Sequence, residues 1–175
     1  MKESVYLIGC RAVGKSSIGR ELAHTLSWSF LDTDTLITEN LGQTVAEIVQ
    51  DGGWKKFRNA EKEVLQQLQN KEKCVVATGG GAILHSDVWP ELKKQGNVIW
   101  LTADLATLCT RIRGDQQSAS LRPSLTGNDI CTELEDVLVE RSPQYRKFAD
   151  CIIDTEVLDV KQAVLKITNY VKGIE

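Results

Sequence analysis

The sequence predicts an α/β domain of three layers, a parallel sheet with helices on both faces. Short apolar runs rich in β-branched residues alternate with segments of helical periodicity along the chain. A glycine-rich loop follows the first apolar run and opens the first helical segment. The length, 175 residues, suits one domain spanning 1–175 and leaves little room for another.

Val5-Tyr6-Leu7-Ile8 is a short apolar run ended by Gly9, the pattern of a buried strand. After the loop, residues 16–26 carry Ile18, Leu22, Ala23 and Leu26 at helical spacing. Phe30-Leu31 predicts a second strand that runs, still extended, into Asp32-Thr33-Asp34. Helical pattern returns at 35–41 and 44–50, broken by Gly42 and by Gly52-Gly53, and again at 59–69. Further strands are expected at 74–78, 98–101 and 151–154, and further helices at 87–94, 105–112, 130–141 and 159–172. Residues 113–129 are mostly small, polar or charged and lack apolar periodicity. An irregular stretch of this length is usually a functional lid, with a solvated loop as the plainer alternative.

Composition narrows the function classes. Lys+Arg total 21 against 24 Asp+Glu, a net charge of −3, so the chain lacks the broad basic field of a dedicated nucleic-acid binder. No apolar run approaches the roughly 20 residues of a membrane span. The run at 5–8 is too short for a signal peptide, and the chain reads as cytoplasmic. Five scattered cysteines without C-x-x-C spacing argue against a disulfide scaffold or a structural zinc site. Cys74 and Cys151 lie in apolar runs and are expected in the core, and Cys10 is a candidate for modification. His24 and His85 have no partner spacing and read as non-catalytic. No extended apolar surface is legible, so a monomer is expected.

Gly9-Cys10-Arg11-Ala12-Val13-Gly14-Lys15-Ser16 satisfies G-x-x-x-x-G-K-[ST], a phosphate loop. Chance would produce that pattern in such a chain with a probability on the order of one per cent. Glycines let successive N–H groups turn toward phosphate oxygens, and the following helix adds the positive end of its dipole. Lys15 places a charge on the β- and γ-phosphates, and the Ser16 hydroxyl suits Mg²⁺. A nucleoside triphosphate is therefore the expected ligand. The guanine-reading N-K-x-D and the switch D-x-x-G of regulatory GTPases do not occur. Asp32 and Asp34 divide naturally into a metal partner and a group gripping an acceptor hydroxyl, although a strand-end and helix-cap pair is equally consistent. Gly79-Gly80-Gly81, directly after a strand, permits close approach of a ligand to backbone at the ligand-binding edge of an α/β sheet.

These motifs, together with Phe57-Arg58, Leu121-Arg122-Pro123-Ser124-Leu125 and Glu140-Arg141…Tyr145-Arg146, come in the order and spacing of shikimate kinase, which the chain resembles from the first strand to Arg146. The resemblance implies a P-loop NTPase fold with a five-stranded parallel sheet in the order 2-3-1-4-5, a substrate-binding insertion at 33–61 and a lid at 113–129. It implies transfer of the γ-phosphoryl group of ATP to the 3-hydroxyl of shikimate, in the chorismate route to aromatic amino acids. Ala12, Val13, Gly14, Lys15, Ser16 and Ser17 would hold ATP, joined by Arg113 near adenine and Arg122 from the lid. Asp34 would hold the acceptor hydroxyls as candidate base, with Lys15 and Arg122 completing the catalytic set. Arg58 and Arg141 would clamp the carboxylate, and Gly79, Gly80 and Gly81 would offer backbone N–H groups. Ser16 and Asp32 would hold Mg²⁺. Ala12 departs from the family, which has glycine there; its Cβ matters only if the loop needs positive φ. A standard Walker-B aspartate is also missing, which leaves the metal role to Asp32. Two other readings remain, a P-loop kinase for gluconate or a nucleotide and a non-catalytic ATP sensor.

Overall fold

Successive residues of the first strand, β1 (Ser4–Ile8), serve opposite faces of the sheet. Tyr6 and Ile8 enter one hydrophobic cluster, whereas Val5 and Leu7 enter another. The whole strand is buried, as a central parallel strand covered on both faces must be. The structure, a computed structural model, describes residues 2–114 and 129–174. Among them lie β2 (Ser29–Asp32), β3 (Cys74–Ala77), β4 (Gly96–Thr102) and β5 (Cys151–Asp154). The helices are α1 (Lys15–Leu26), α2 (Thr33–Leu41), α3 (Val45–Gln67), α4 (Trp89–Gln95), α5 (Leu105–Gly114), α6 (Ile130–Phe148) and α7 (Val160–Lys172).

The five strands form one sheet in the order β2-β3-β1-β4-β5, and every neighbouring pair is parallel. This is the order that the family resemblance implies. One face is covered by α2, α3, α4 and the end of α6, packed around Tyr6, Val76, Trp89, Val98 and Trp100. The other is covered by α1, α5, α7 and the start of α6, packed around Leu7, Val75, Ile99 and Leu101. Because all strands run one way, the loops after β1, β2 and β3 leave from the same edge, where open α/β sheets bind ligands.

Several element boundaries differ from the sequence reading. The segment after β2 is not extended, because Asp32 caps α2 and Thr33 begins it, with Asp32 Oδ1 accepting from Asp34 N (3.0 Å) and Thr35 N (3.4 Å). The helices expected at 44–50 and 59–69 are the two runs of α3, which follow one another directly across Gly53. Gly53 leaves helical geometry (φ 67°, ψ −179°), so two helical runs meet at a kink there, where the glycine pair predicts a break. α3 starts at a capping box in which Thr44 and Glu47 satisfy each other's backbone N–H groups. α6 continues past Arg141 through Pro143 to Phe148. Residues 33–61 are thus α2, a short connection and most of α3. Of the stretch 113–129, Arg113 and Gly114 close α5 and Asp129 caps α6, while 115–128 lie outside the described residues.

The cysteine reading is also corrected. Cys109 of α5 and Cys131 of α6 are disulfide-bonded, with Cα atoms 5.7 Å apart. Their sequence positions gave no hint of this, since packing of two helices brings them together. One bridge is not a scaffold, and Cys10, Cys74 and Cys151 are free thiols. Cys74 is buried as expected, but Cys151 is half-buried because β5 is an edge strand.

Asp150 joins three parts of the fold ahead of β5. Its Oδ2 accepts from Lys2 Nζ (2.9 Å) and Val98 N (3.0 Å), and Oδ1 lies 2.9 Å from Lys93 Nζ. Burial raises its pKa, but the bonds from Val98, Lys93 and Lys2 outweigh burial and leave it below the ordinary value. A carboxyl titrating lower in the folded state stabilises fully above its unfolded pKa, about 4, and loses that contribution as pH falls through the folded value. Asp150→Asn should therefore cost ~1–2 kcal/mol in urea denaturation at pH 7, the partly exposed lysines being screened. The difference from wild type should shrink below about pH 4.

Candidate active site

The phosphate loop starts where β1 ends. A Cβ on Gly9 would collide with the carbonyl oxygen of Leu101 on β4, so the loop can lie this close to the sheet only with glycine there. Gly14 caps α1 at φ 99° without a side-chain bond, and the first turn of α1 carries no acidic residue. The helix thus presents backbone N–H groups and its positive dipole end to the loop. Lys15 Nζ donates to Gly9 O (2.8 Å) and Cys10 O (2.6 Å), which holds the ammonium across the loop. Ala12 has φ 62°, so the loop does require the left-handed conformation in which a Cβ is strained. Cys10 is buried, and burial pushes its thiol above the ordinary value, so it is a packed thiol and a poor target for modification.

A groove of ≈ 880 Å³ runs along this loop and is lined by Ala12, Gly14, Lys15, Ser16, Ser17 and Asp32. Ser16 Oγ donates to Asp32 Oδ2 (2.9 Å), while the other oxygen of Asp32 caps α2. Asp32 is therefore a helix cap through one oxygen, and its other oxygen faces the loop hydroxyl. Asp34 is the second residue of α2, nearly buried, and lines both this groove and a second, smaller cavity. Val13, the remaining loop residue expected at ATP, is buried in the core, and its carbonyl oxygen lies 3.2 Å from Thr155 Oγ1.

The smaller cavity brings together Asp34, Arg58, Gly79, Gly80, Gly81 and Arg141, the residues expected to hold the acceptor. Arg58 is fixed on several sides. Its Nη1 donates to Glu61 Oε2 (2.6 Å), one turn on along α3, and its guanidinium lies 5.6 Å from the Trp54 ring centre and 5.4 Å from that of Phe57. The guanidinium also lies so close to Gly81 that a Cβ there would overlap it. Arg141 is buried, and its Nε has no hydrogen-bond partner among the described residues, the nearest Glu140 oxygen being 3.7 Å away. A buried guanidinium with an unmet donor is costly until an anion reaches it. Gly79 N donates to Thr33 Oγ1 (2.8 Å), so of the three glycines only Gly80 and Gly81 have N–H groups uncommitted among the described residues.

Some residues here carried no signal that was read from the sequence. Glu61 is fully buried beside Gly79; its i,i+3 spacing from Arg58 was the available clue. His85 Nε2 lies 3.0 Å from the same Glu61 oxygen, 24 residues away in the chain. Tyr145 donates to Gly80 O (2.6 Å) and stacks on Trp100, and burial raises its hydroxyl above the ordinary value, keeping it a donor. Arg111, held by Thr155 through Oγ1 (3.0 Å) and O (2.6 Å), lines the groove. Arg113, expected near adenine, is exposed and outside the lining of both cavities, because it falls two residues farther around α5. Arg122 lies outside the described residues.

Comparison with known proteins gives consistent similarities over nearly the whole chain. The model of the family described as shikimate kinase matches residues 11–172. The chain is 37% identical over 174 residues to shikimate kinase 2 of Photorhabdus laumondii, covering 99% of this chain and 96% of that one. It is 39% identical over 171 residues to shikimate kinase 2 of Yersinia pestis, covering 96% and 97%. Among solved structures, a shikimate kinase from Acinetobacter baumannii in complex with shikimate superposes with a TM-score of 0.89 at 32% identity, covering 98% of this chain and 93% of that one.

The strain at Ala12 gives a direct test. Replacing it by glycine removes a left-handed penalty of roughly 1–2 kcal/mol and adds about 0.5–1 kcal/mol of unfolded-state entropy. Ala12→Gly should therefore raise the thermal midpoint of the free protein by about 1–4 °C in a calorimetric scan.

Proposed function

The chain belongs to the shikimate kinase family, and on that premise we propose that it transfers the γ-phosphoryl group of ATP to the 3-hydroxyl of shikimate, giving shikimate 3-phosphate and ADP in the chorismate route to aromatic amino acids. The observation that carries this reading is Asp34, whose side chain lines the phosphate groove and the acceptor cavity together. A carboxylate there grips the acceptor hydroxyl at the point where the phosphoryl group crosses, and accepts its proton as transfer proceeds.

The loop N–H groups and the start of α1 hold the phosphates, and Lys15 exchanges the Gly9 and Cys10 carbonyls for β- and γ-oxygens. Arg58 and Arg141 clamp the carboxylate of shikimate, a planar anion suited to guanidinium pairs. Gly80 and Gly81 supply N–H groups to the ring substituents, and Tyr145 fixes the Gly80 carbonyl. Arg122 is assigned to the transferring phosphoryl group by resemblance to the family, and Arg111 takes the place beside the nucleotide first given to Arg113.

The residues present fit Mg²⁺. Ser16 Oγ and Asp32 Oδ2, 2.9 Å apart, are hard oxygen donors at the phosphate loop. Among the described residues no cluster of three or more His, Cys, Asp or Glu could form an all-protein metal cage. Mg²⁺ would need none, since a nucleotide and water would complete its ligands, and it would supply positive charge against the phosphates. We also read the protein as a cytoplasmic monomer acting on small molecules, without nucleic acid or membrane partners. The net charge of −3 speaks against a broad basic field for nucleic acid, and no helix among the described residues is long and apolar enough to cross a membrane.

Asp34→Asn tests the assignment. Its kcat for ADP release with Mg-ATP and shikimate should fall by ~10²–10⁴-fold, while the KM for ATP stays within about threefold. Turnover preserved in the variant, or wild-type ADP release indifferent to shikimate, would contradict the reading.

A further inference from the structure

Glu61 is a fully buried carboxylate, and its Oε2 receives two partners, Arg58 Nη1 at 2.6 Å and His85 Nε2 at 3.0 Å. Arg58 supplies the balancing charge. His85 supplies the second hydrogen bond, and its backbone is held by the short turn after the glycine run: His85 N donates to Ala82 O, and Trp89 Nε1 donates to the same carbonyl oxygen. Arg58 and Glu61 both line the acceptor cavity, while His85, outside that lining and with its side chain 12% exposed, contacts Glu61.

We propose that His85 is a positioning residue for the acceptor carboxylate: it holds Glu61 against Arg58, and its protonation strengthens the grip of Arg58 on that carboxylate. The inference rests on the reading that Arg58 binds the carboxylate of shikimate. With neutral His85, Nε2 carries the proton to Glu61, and the single negative charge of Glu61 is matched by Arg58 alone. A protonated His85 shares that negative charge, so Arg58 keeps less of it and the cluster as a whole becomes cationic. A carboxylate arriving at Arg58 then meets a stronger field, and by reciprocity its binding favours protonation of His85. The groups facing the imidazole are Glu61 from α3 and Asp87 on its own loop, and Asp87 is paired with Lys62 of α3 at 2.7 Å. The Asp87 charge is thus largely matched by Lys62, leaving Glu61 as the carboxylate to which His85 answers.

The test is steady-state kinetics of wild type, His85→Gln, His85→Ala and Arg58→Ala from pH 6 to 8, with circular dichroism as a folding check. Glutamine keeps a donor near the Nε2 position and cannot take up a proton. The ratio of its shikimate KM to that of wild type should change by about three- to tenfold across this range, because one charge is gained or lost near the carboxylate. His85→Ala should raise the shikimate KM about tenfold at pH 8, since a buried carboxylate loses a hydrogen bond. In both variants kcat at saturation and the KM for ATP should stay within about twofold, as expected for loss of uniform binding. A KM ratio for His85→Gln that is constant across pH, or a loss confined to kcat, overturns the proposal. If His85→Ala fails to fold, the glutamine ratio alone decides. Arg58→Ala separates the two levels. An unchanged shikimate KM in that variant overturns the carboxylate clamp and this proposal with it, whereas a raised KM alongside flat His85 variants overturns the proposal alone.

Discussion

Everything in the site follows from one constraint, that all five strands point the same way. Parallel pairing sends the chain back across a face of the sheet after each strand, so the strand-to-helix turns collect at a single edge. The turn after β1 is the phosphate loop, the turn after β2 carries Asp32 and Asp34, and the turn after β3 is the glycine run. With β1 between β3 and β4, the loop lies at the centre of that edge. Donor groove and acceptor cavity are neighbours because β1 and β3 are hydrogen-bonded, and they share Asp34 because β2 lies just beyond.

The acceptor side is built from buried charge, which is costly to fold and selective once folded. Arg58 and Arg141 place two guanidinium groups beside two buried carboxylates, Asp34 and Glu61, so the charges balance while Arg141 Nε still lacks a hydrogen-bond partner among the described residues. An oxygen acceptor on a ligand can meet Arg141 Nε, and a carboxylate would do so with opposite charge as well. The aromatic faces of Trp54 and Phe57 hold Arg58 in place beforehand, so little side-chain entropy remains to be lost on binding.

Local pattern made the scaffold and much of the site legible. The apolar runs, the glycine punctuation and the phosphate-loop spacing each depend on neighbours a few residues away, and the motifs at Asp34, Arg58, Gly79 to Gly81 and Arg141 converge in one cavity. What escaped reading depends on contacts distant in sequence. His85 meets Glu61 only because the turn after the glycine run packs on α3, and Arg111 reaches the groove only because Thr155, 44 residues on, holds it there. Cys109 meets Cys131 through the packing of α5 on α6. Gly52-Gly53 was legible as a break because glycine is weak in helices, and Gly53 does leave helical geometry between the two runs of α3. Ala12 is the reverse case: sequence could say that its Cβ would matter at positive φ, and only the loop's shape could say that φ is positive.

The central claim is that the cavity beside the phosphate loop selects a cyclic hydroxy acid and presents one hydroxyl to the transferring phosphoryl group. The most direct measurement is a competition followed by phosphorus NMR, in which the purified protein and Mg-ATP meet equal amounts of shikimate, gluconate and AMP. The account predicts that a single phosphomonoester accumulates with ADP, on the 3-oxygen of shikimate. Phosphate on gluconate or AMP, on another shikimate oxygen, or ADP formed with free phosphate alone, would contradict it.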